Sequence, residues 1–457
     1  MPSFSDYYHK GSRGHLVGIG GVSMSPLAEV LHDAGLVITG SDTGEGDNVQ
    51  RLRSKGITVF HGHSCDNITD DVEFVVRTAA VHDDNPEIMA ARERGLPIFE
   101  RAQAWGAIMK DYQNAVCIAG THGKTTTTSM CTHILMAAEQ DPTVMIGGTL
   151  PLLKAAHRVG KGDTIIMESC EYYNSFLSFH PTVAVILNVE ADHLDFFKTF
   201  DNVKEAFYNF ADLVPESGVV IANADDANTM EVVQGHKGQL LTFGITSHAD
   251  VTADHIVFNG TDSEFDILYL GQLFTHVQLH VPGIHNVKNA LAACAAAIVL
   301  HCSPAAVRYG LAGFGSAHRR FEFKGKFNGA DVYDDYAHHP GELKALLDAV
   351  ENIGYRRILM VFQPHTFTRT KAFFEEFLKQ LSRPDVCYLA EIYAAREKND
   401  LHISSADLAA RLPNALYFAD NKELEKNLRA AAGPGDLILT VGAGDVYRIG
   451  EALLNRT

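Results

Sequence analysis

Residues Gly120-Thr-His-Gly-Lys-Thr-Thr-Thr-Thr128 carry the clearest chemistry in this chain. Gly120 and Gly123 let backbone N–H groups approach phosphate oxygens, and a helix starting there would add positive potential. Lys124 can reach terminal phosphates, and the Thr125 hydroxyl can ligate Mg²⁺. Thr121 and His122 alone separate the two glycines, where about four residues are usual. The context supports the reading: Ala115–Ala119 is apolar and predicts a buried strand, and Ser129–Ala138 predicts a helix. Strand, glycine-lysine turn and helix together predict a nucleoside triphosphate site that includes Thr126.

Other polar groups fall where strands should end. Glu168-Ser-Cys-Glu171 follows the apolar Thr164–Met167, and Asn188-Val-Glu-Ala-Asp-His193 follows Thr182–Leu187. Ligands of open α/β sheets bind at the carboxyl ends of strands, so both clusters should face Lys124. A carboxylate there suits Mg²⁺, which prefers oxygen, and a histidine beside it suits an outer or second metal position. Gly283-Ile-His-Asn-Val-Lys-Asn289 opens an alanine-rich helix, where asparagine either caps the helix or pairs with an adenine edge. Ser316-Ala-His-Arg-Arg-Phe-Glu322 places Arg319 and Arg320 where they could clamp a phosphoryl group. Asp334–Pro340, with Asp335 and His338, and Phe362–Thr370, with His365 and Arg369, each link a strand to a helix. Four such loops predict a substrate held between domains.

The elements needed to position these groups alternate along the chain. From about 12 to 112, short strands at His15–Val17, Leu36–Thr39, Thr58–Phe60, Phe74–Val76 and Leu96–Phe99 are separated by helical stretches, which predicts a parallel sheet. Gly18-x-Gly20-Gly21 is a partial dinucleotide fingerprint, because Ser23 stands where the third glycine would be. Asp42 lies about where such domains bind a ribose hydroxyl. Further strands are expected at Val219–Ala222 and Leu240–Phe243, with antiparallel strands over Val251–Val281. After Arg320, strands at Asp331–Tyr333, Arg357–Phe362, Val386–Leu389 and Asp436–Thr440 alternate with helices near 341–352, 370–381, 405–411 and 421–432.

A chain of 457 residues predicts about three domains. The expected boundaries are 1–112, 113–320 and 321–457: a Rossmann-like N-terminal domain, a P-loop ATPase-like central domain and an α/β C-terminal domain. The net charge of −18 argues against nucleic acid and anionic membranes as partners. Anionic substrates must then be held by local devices. Seven scattered cysteines without a Cys-x-x-Cys pair point to reduced thiols in a cytoplasmic protein. No apolar run of about 18 residues is present.

These motifs together resemble the Mur ligases, ATP-dependent amide-forming enzymes of peptidoglycan synthesis. Gly120–Thr126, Gly283–Leu291 and Asp335-Tyr-Ala-His338 carry the family likeness. Within the family, Ile19–Met24, Asp83–Glu87, Phe362–Thr370, Glu391–Ala395 and Gly442–Asp445 are similar to the member that takes UDP-N-acetylmuramate and L-alanine. The resemblance implies that ATP phosphorylates the lactyl carboxylate and that the amine of L-alanine attacks the acyl phosphate. It implies Lys124 and Arg320 against the transferring group, Thr125, Glu171 and His193 around Mg²⁺, and Asn289 and Asp335 at ATP. It places UDP on Gly20, Gly21 and Asp42, and the muramate and amino acid near His338, His365 and Arg369. Cys170 replaces an aspartate common in such ligases. Lys204 stands about three residues short of the lysine that sister ligases carbamylate, so it takes no role. The rival readings are a ligase that attaches a whole tripeptide and a nucleotide-binding protein without ligase activity.

Overall fold

The computed structural model describes residues 2–78, 81–395 and 397–454. Its strands form three sheets, and the residues group into two compact units. The first unit runs to Thr252 and adds Tyr269–Gln272 and Leu291–Gly310; the second comprises Ala253–Leu268, Leu273–Ala290 and the residues from Leu311.

In the first unit, a wholly parallel sheet has the order Thr58–His61, Val37–Asp42, Arg13–Val17, Phe74–Arg77, Ile98–Glu100. Strand order reverses at Arg13–Val17, so its carboxyl end opens the crevice that such sheets use for ligands. There the chain turns through Gly18, at φ 76°, and enters the helix Met24–Asp33. The second sheet has the order Gln239–Gly244, Val219–Asn223, Val183–Ile186, Asn114–Ala119, Thr164–Glu168, Thr143–Leu150, Ala155–Arg158 in this unit. All are parallel except the last, which folds back on Thr143–Leu150 as a hairpin. The central strands are apolar without alternation, because helices cover both faces. One core links the two sheets: Trp105, Phe176, Phe207 and Phe210 are buried in it together with Phe74 and Phe99. That core continues on both sides of residues 112–113.

In the second unit, the six-stranded sheet runs Glu322–Phe327, Ala330–Asp335, Asp436–Val441, Arg357–Phe362, Val386–Ala390, Ala415–Phe418. It is parallel except for the edge strand Glu322–Phe327. Helices Pro340–Val350 and Phe374–Leu381 bury Leu343, Leu347, Phe377 and Leu381 against one face. Asn421–Ala431 and Tyr447–Leu454 contribute Leu424, Leu428, Ile449 and Leu453 to the other.

Several expected elements differ. The phosphate-loop helix starts at Lys124, not near Ser129. The single helix expected over 370–381 is two, Phe367–Ala372 and Phe374–Leu381, broken where Phe373 leaves helical geometry (φ −112°, ψ 31°). The hairpin Thr143–Leu150 with Ala155–Arg158 and the strands Glu322–Phe327 and Ala415–Phe418 add to those read from sequence. The region Val251–Val281 holds strands Val251–Asn259, Asp262–Tyr269 and Gln272–Leu279.

Candidate active site

The phosphate loop leaves the strand Asn114–Ala119 at Gly120, whose φ is 145°. A Cβ there would lie 2.9 Å from the Cβ of Leu187, so a side chain does not fit. Gly123, left-handed at φ 86°, then starts the helix Lys124–Ala137 with no side-chain cap. Its first N–H groups point where an anion would sit. Asn188 fixes the loop from the neighbouring strand end: its Oδ1 accepts the His122 N–H at 2.8 Å, and its Nδ2 donates to the His122 carbonyl at 3.1 Å. The Thr121 hydroxyl accepts the Glu190 N–H at 2.9 Å.

Lys124 bends back over this loop. Its ammonium donates to the carbonyls of Gly120 and Thr121 and to Glu171 Oε2 at 2.9 Å. Burial disfavours the charge, but Glu171, with Glu168 nearby, holds Lys124 above the usual lysine value. The lysine stays a cation at every working pH. The Thr125 hydroxyl donates to Glu168 Oε1 at 2.9 Å, and the Gly147 N–H binds Glu168 Oε2 at 2.6 Å. His193 lies behind Glu171, with 3.7 Å between its Nε2 and Glu171 Oε1 and 3.8 Å to Asp192 Oδ2. Its ring stacks on Tyr172 at 4.4 Å, and its backbone is left-handed at φ 52°, a conformation that costs a non-glycine residue energy. Thr125 and Glu168 offer hard oxygen donors side by side, and Glu171, Asp192 and His193 form a second group, so the donor set fits hard divalent cations.

Thr125 meets Glu168, while Glu171 lies between Lys124 and His193. Glu168 is the last residue of its strand, at the edge where strand-end logic places ligands, and that signal was in the sequence. Cys170 lies between the two acids in sequence and is exposed at the surface; crowding by the surrounding chain, with Glu171 adding to it, pushes its thiol up to about 11, so it is neutral. Lys204 pairs with Glu231 at 3.0 Å.

At the edge of the first sheet, Asp42 Oδ2 accepts the Gly20 N–H at 2.8 Å and its Oδ1 accepts the Gly44 N–H at 2.8 Å. A Cβ on Gly20 would lie 2.7 Å from Val49 and 2.9 Å from Asp42, so the turn requires glycine. Gly21 donates to the Gly18 carbonyl. Next to Asp42, Ser41 donates to the buried Glu87 at 2.6 Å, which also takes Asn67 at 2.6 Å and His63 at 2.9 Å. Burial opposes the charge of Glu87, but hydrogen bonds from His15, Ser41 and Asn67 outweigh it and hold the carboxyl down to about 2.

The second unit gathers the remaining candidates into two groups. Arg319, left-handed at φ 59°, is a structural pin: it donates to Asp334 at 2.8 Å and to the carbonyls of Gly444 and Gly442 at 2.9 and 2.6 Å. Arg320 instead lays its guanidinium over the Tyr336 ring, 5.1 Å from the centroid. Asp335 accepts the N–H groups of Phe321 and Ala337 at 2.7 and 2.8 Å. Burial pushes its carboxyl up to about 6, against Arg320 and those two donors. Asn289 donates to Asn286 Oδ1 at 3.3 Å. His338, His365 and Arg369 come together as expected. The two imidazoles meet edge to face at 5.6 Å, and Arg369 lies 3.1 Å from His365 Nδ1. Burial, with Arg369 and His365 adding to it against Glu342, lowers His338 to about 4. Glu397, which carries no assigned role from sequence, accepts from Thr366 at 2.5 Å and from the Thr368 N–H at 2.9 Å and so anchors the Arg369 helix.

A phosphate loop that holds its own lysine beside strand-end acids, in a chain of three α/β sheets, has the form of a nucleoside-triphosphate-binding scaffold. Residues 13–113 match the Mur ligase family catalytic domain, 118–297 the Mur ligase middle domain and 319–444 the Mur ligase glutamate ligase domain. The chain belongs to the Mur ligase family. The UDP-N-acetylmuramate–L-alanine ligase of Agathobacter rectalis is 45% identical over 447 residues, with 97% of each chain covered. That of Acetivibrio thermocellus is 46% identical over 446 residues, covering 96% of this chain and 95% of the relative. Among solved structures, the UDP-N-acetylmuramate-alanine ligase of Thermotoga maritima superimposes with a TM-score of 0.79 at 29% identity, covering 97% and 98%. A murein peptide ligase from Psychrobacter arcticus shares the fold at TM-score 0.72 and 23% identity, again covering 97% and 98%.

Proposed function

We propose that this chain is an ADP-forming ligase that joins L-alanine to the lactyl carboxylate of UDP-N-acetylmuramate, a step of peptidoglycan precursor synthesis in the cytoplasm. The observation that carries the reading is Lys124, held between the phosphate-loop carbonyls and Glu171 while Thr125 meets Glu168. ATP, when bound, supplies the phosphoryl group that turns the carboxylate into an acyl phosphate with release of ADP; the amine of L-alanine then attacks the acyl carbon, loses a proton and displaces inorganic phosphate to leave the amide.

The chain's own residues take these parts. Gly120–Thr126 present N–H groups to the phosphates, and Lys124 offsets charge on the transferring group. Thr125 with Glu168, and Glu171 with His193, would hold Mg²⁺, which would offset charge on the phosphates. Asn289, Arg320 and Asp335 serve the adenine nucleotide. Gly20, Gly21 and Asp42 hold UDP, and His338, His365 and Arg369 serve the muramate and the amino acid. The segments 1–112, 113–320 and 321–457 divide these tasks as nucleotide-sugar, ATP and C-terminal domains. Neutral His338 beside cationic Arg369 suits a carboxylate, because only the arginine brings charge to the pair.

Phosphate release from the purified chain tests this directly. It should require ATP, UDP-N-acetylmuramate and L-alanine together. A tripeptide far better than L-alanine as acceptor would replace the proposal with a peptide-recycling ligase. ATP binding without phosphate release under any combination would leave a binding protein.

A further inference from the structure

Arg101 is a cation with no assigned partner in the first unit. It is the first residue of the helix Arg101–Met109, directly beyond the carboxyl end of the strand Ile98–Glu100. Its neighbour Glu100 is engaged elsewhere: its Oε1 accepts from Arg77 Nε at 2.8 Å, and its backbone N–H donates to Gln103. Among the described residues Arg101 makes no hydrogen bond or ion pair. Burial draws its guanidinium below the usual arginine value, and Cys170 and Glu100 are the ionisable groups that act against this. Cys170 is a neutral thiol and gives no counter-charge.

The backbone fixes where Arg101 stands. Its helix lies so close to the segment Tyr172–Ser178 that a Cβ on Gly106 would be 1.9 Å from the Ser178 carbonyl oxygen. Tyr172–Ser178 begins directly after Glu171, the partner of Lys124. Arg101 itself stands at the carboxyl end of the strand Ile98–Glu100 and within electrostatic reach of Cys170, two residues beyond the carboxyl end of Thr164–Glu168. The carboxyl edge of the first sheet carries the turn Gly20–Gly21, that of the second the phosphate loop. A partly buried guanidinium with no hydrogen-bonded anion among the described residues is costly, and its planar fork matches a carboxylate.

We propose that Arg101 binds the lactyl carboxylate of the nucleotide-sugar substrate and aims it at the phosphate loop. This rests on the ligase reading above and adds a carboxylate-specific contact to it. UDP-N-acetylglucosamine keeps the diphosphate and the sugar but has no lactyl carboxylate, so the pair of ligands isolates that contact.

Titration calorimetry on the full chain without ATP is the test. Arg101→Gln should weaken UDP-N-acetylmuramate at least ~30-fold, roughly 2 kcal/mol, and change UDP-N-acetylglucosamine and ATP by less than about twofold. Arg101→Lys should fall between, since it keeps charge and loses the fork. Equal losses for both nucleotide-sugars would assign Arg101 to the diphosphate or to the fold, and overturn the proposal. Unchanged affinities would overturn it too. A wild-type chain that binds UDP-N-acetylglucosamine as tightly as UDP-N-acetylmuramate has no carboxylate subsite, which overturns this proposal while leaving nucleotide-sugar binding in place. A wild-type chain that binds neither removes the ligase reading itself.

Discussion

At the scale of single residues, the two acids beside the phosphate loop have different jobs. Glu168 touches the Thr125 hydroxyl, and Glu171 touches the Lys124 ammonium. Glu168→Gln should therefore raise the Mg²⁺ needed for half-maximal rate more than Glu171→Gln does, by about tenfold against a few-fold. A Mg²⁺ titration of both variants with the order reversed would reject the division. Lys124→Ala should lower kcat by roughly 10³-fold or more, since it removes a clamp on the transferring charge, and should also lower the thermal midpoint, since it leaves the buried Glu171 without its cation. A near-normal rate would reject that role. Glu87 gives a pH prediction. Its carboxyl is held down to about 2, so its contribution is full above about 4.5 and is lost as pH falls through 2. That contribution is about 3 kcal/mol for a fully buried group. Denaturant unfolding from pH 5 to 2 should show a shallower loss of stability in Glu87→Gln than in the wild type, and parallel curves would count against the prediction. The phosphate loop was legible because its signal is local: two glycines, a lysine and a threonine in six residues. The partners of Lys124 and Thr125 were not, because Glu168 and Glu171 are three residues apart and only the fold decides which acid meets which group.

At the scale of elements, legibility followed the strength of local pattern. Apolar runs such as Ala115–Ala119 and Arg357–Phe362 were strands where expected. The hairpin Thr143–Leu150 with Ala155–Arg158 was not seen, because Gly147, Gly148 and Pro151 read as loop. It matters, since Gly147 holds Glu168. The edge strand Glu322–Phe327 carries charges that hid it, as edge strands often do. The early start of the helix at Lys124 comes from the loop's geometry, which overrides the weak helix propensity of four successive threonines. Gly106 tests the closest contact between elements. Gly106→Ala would ordinarily favour a helix by about 1 kcal/mol. Here the new methyl meets the Ser178 carbonyl, so the variant should instead lose about 1–3 kcal/mol. Thermal unfolding decides the sign, and a gain in stability would show that Tyr172–Ser178 can move aside.

At the scale of the whole molecule, charge and substrate have the same sign. The chain carries −18, and two of its proposed substrates, ATP and UDP-N-acetylmuramate, are anions. The long-range field should slow their encounter, and salt should relieve it as the screening length shrinks. The association rate of ATP should rise roughly two- to fivefold from 0.01 to 0.15 M salt, as stopped-flow mixing would report. A falling rate would mean that Lys124 and its surroundings dominate the field at a distance. The three sheets were legible in the alternation of strands and helices, but the shared core of the first two was not, because Trp105, Phe176 and Phe207 are far apart in sequence. Trp105 is the sole tryptophan of the chain, 1% exposed, with its indole N–H unpartnered among the described residues. It sits one turn beyond Arg101 in the same helix. Nature has thus installed a single native fluorophore beside the proposed carboxylate subsite. Its emission can follow nucleotide-sugar arrival in real time, in unlabelled protein, with no second indole to blur the trace.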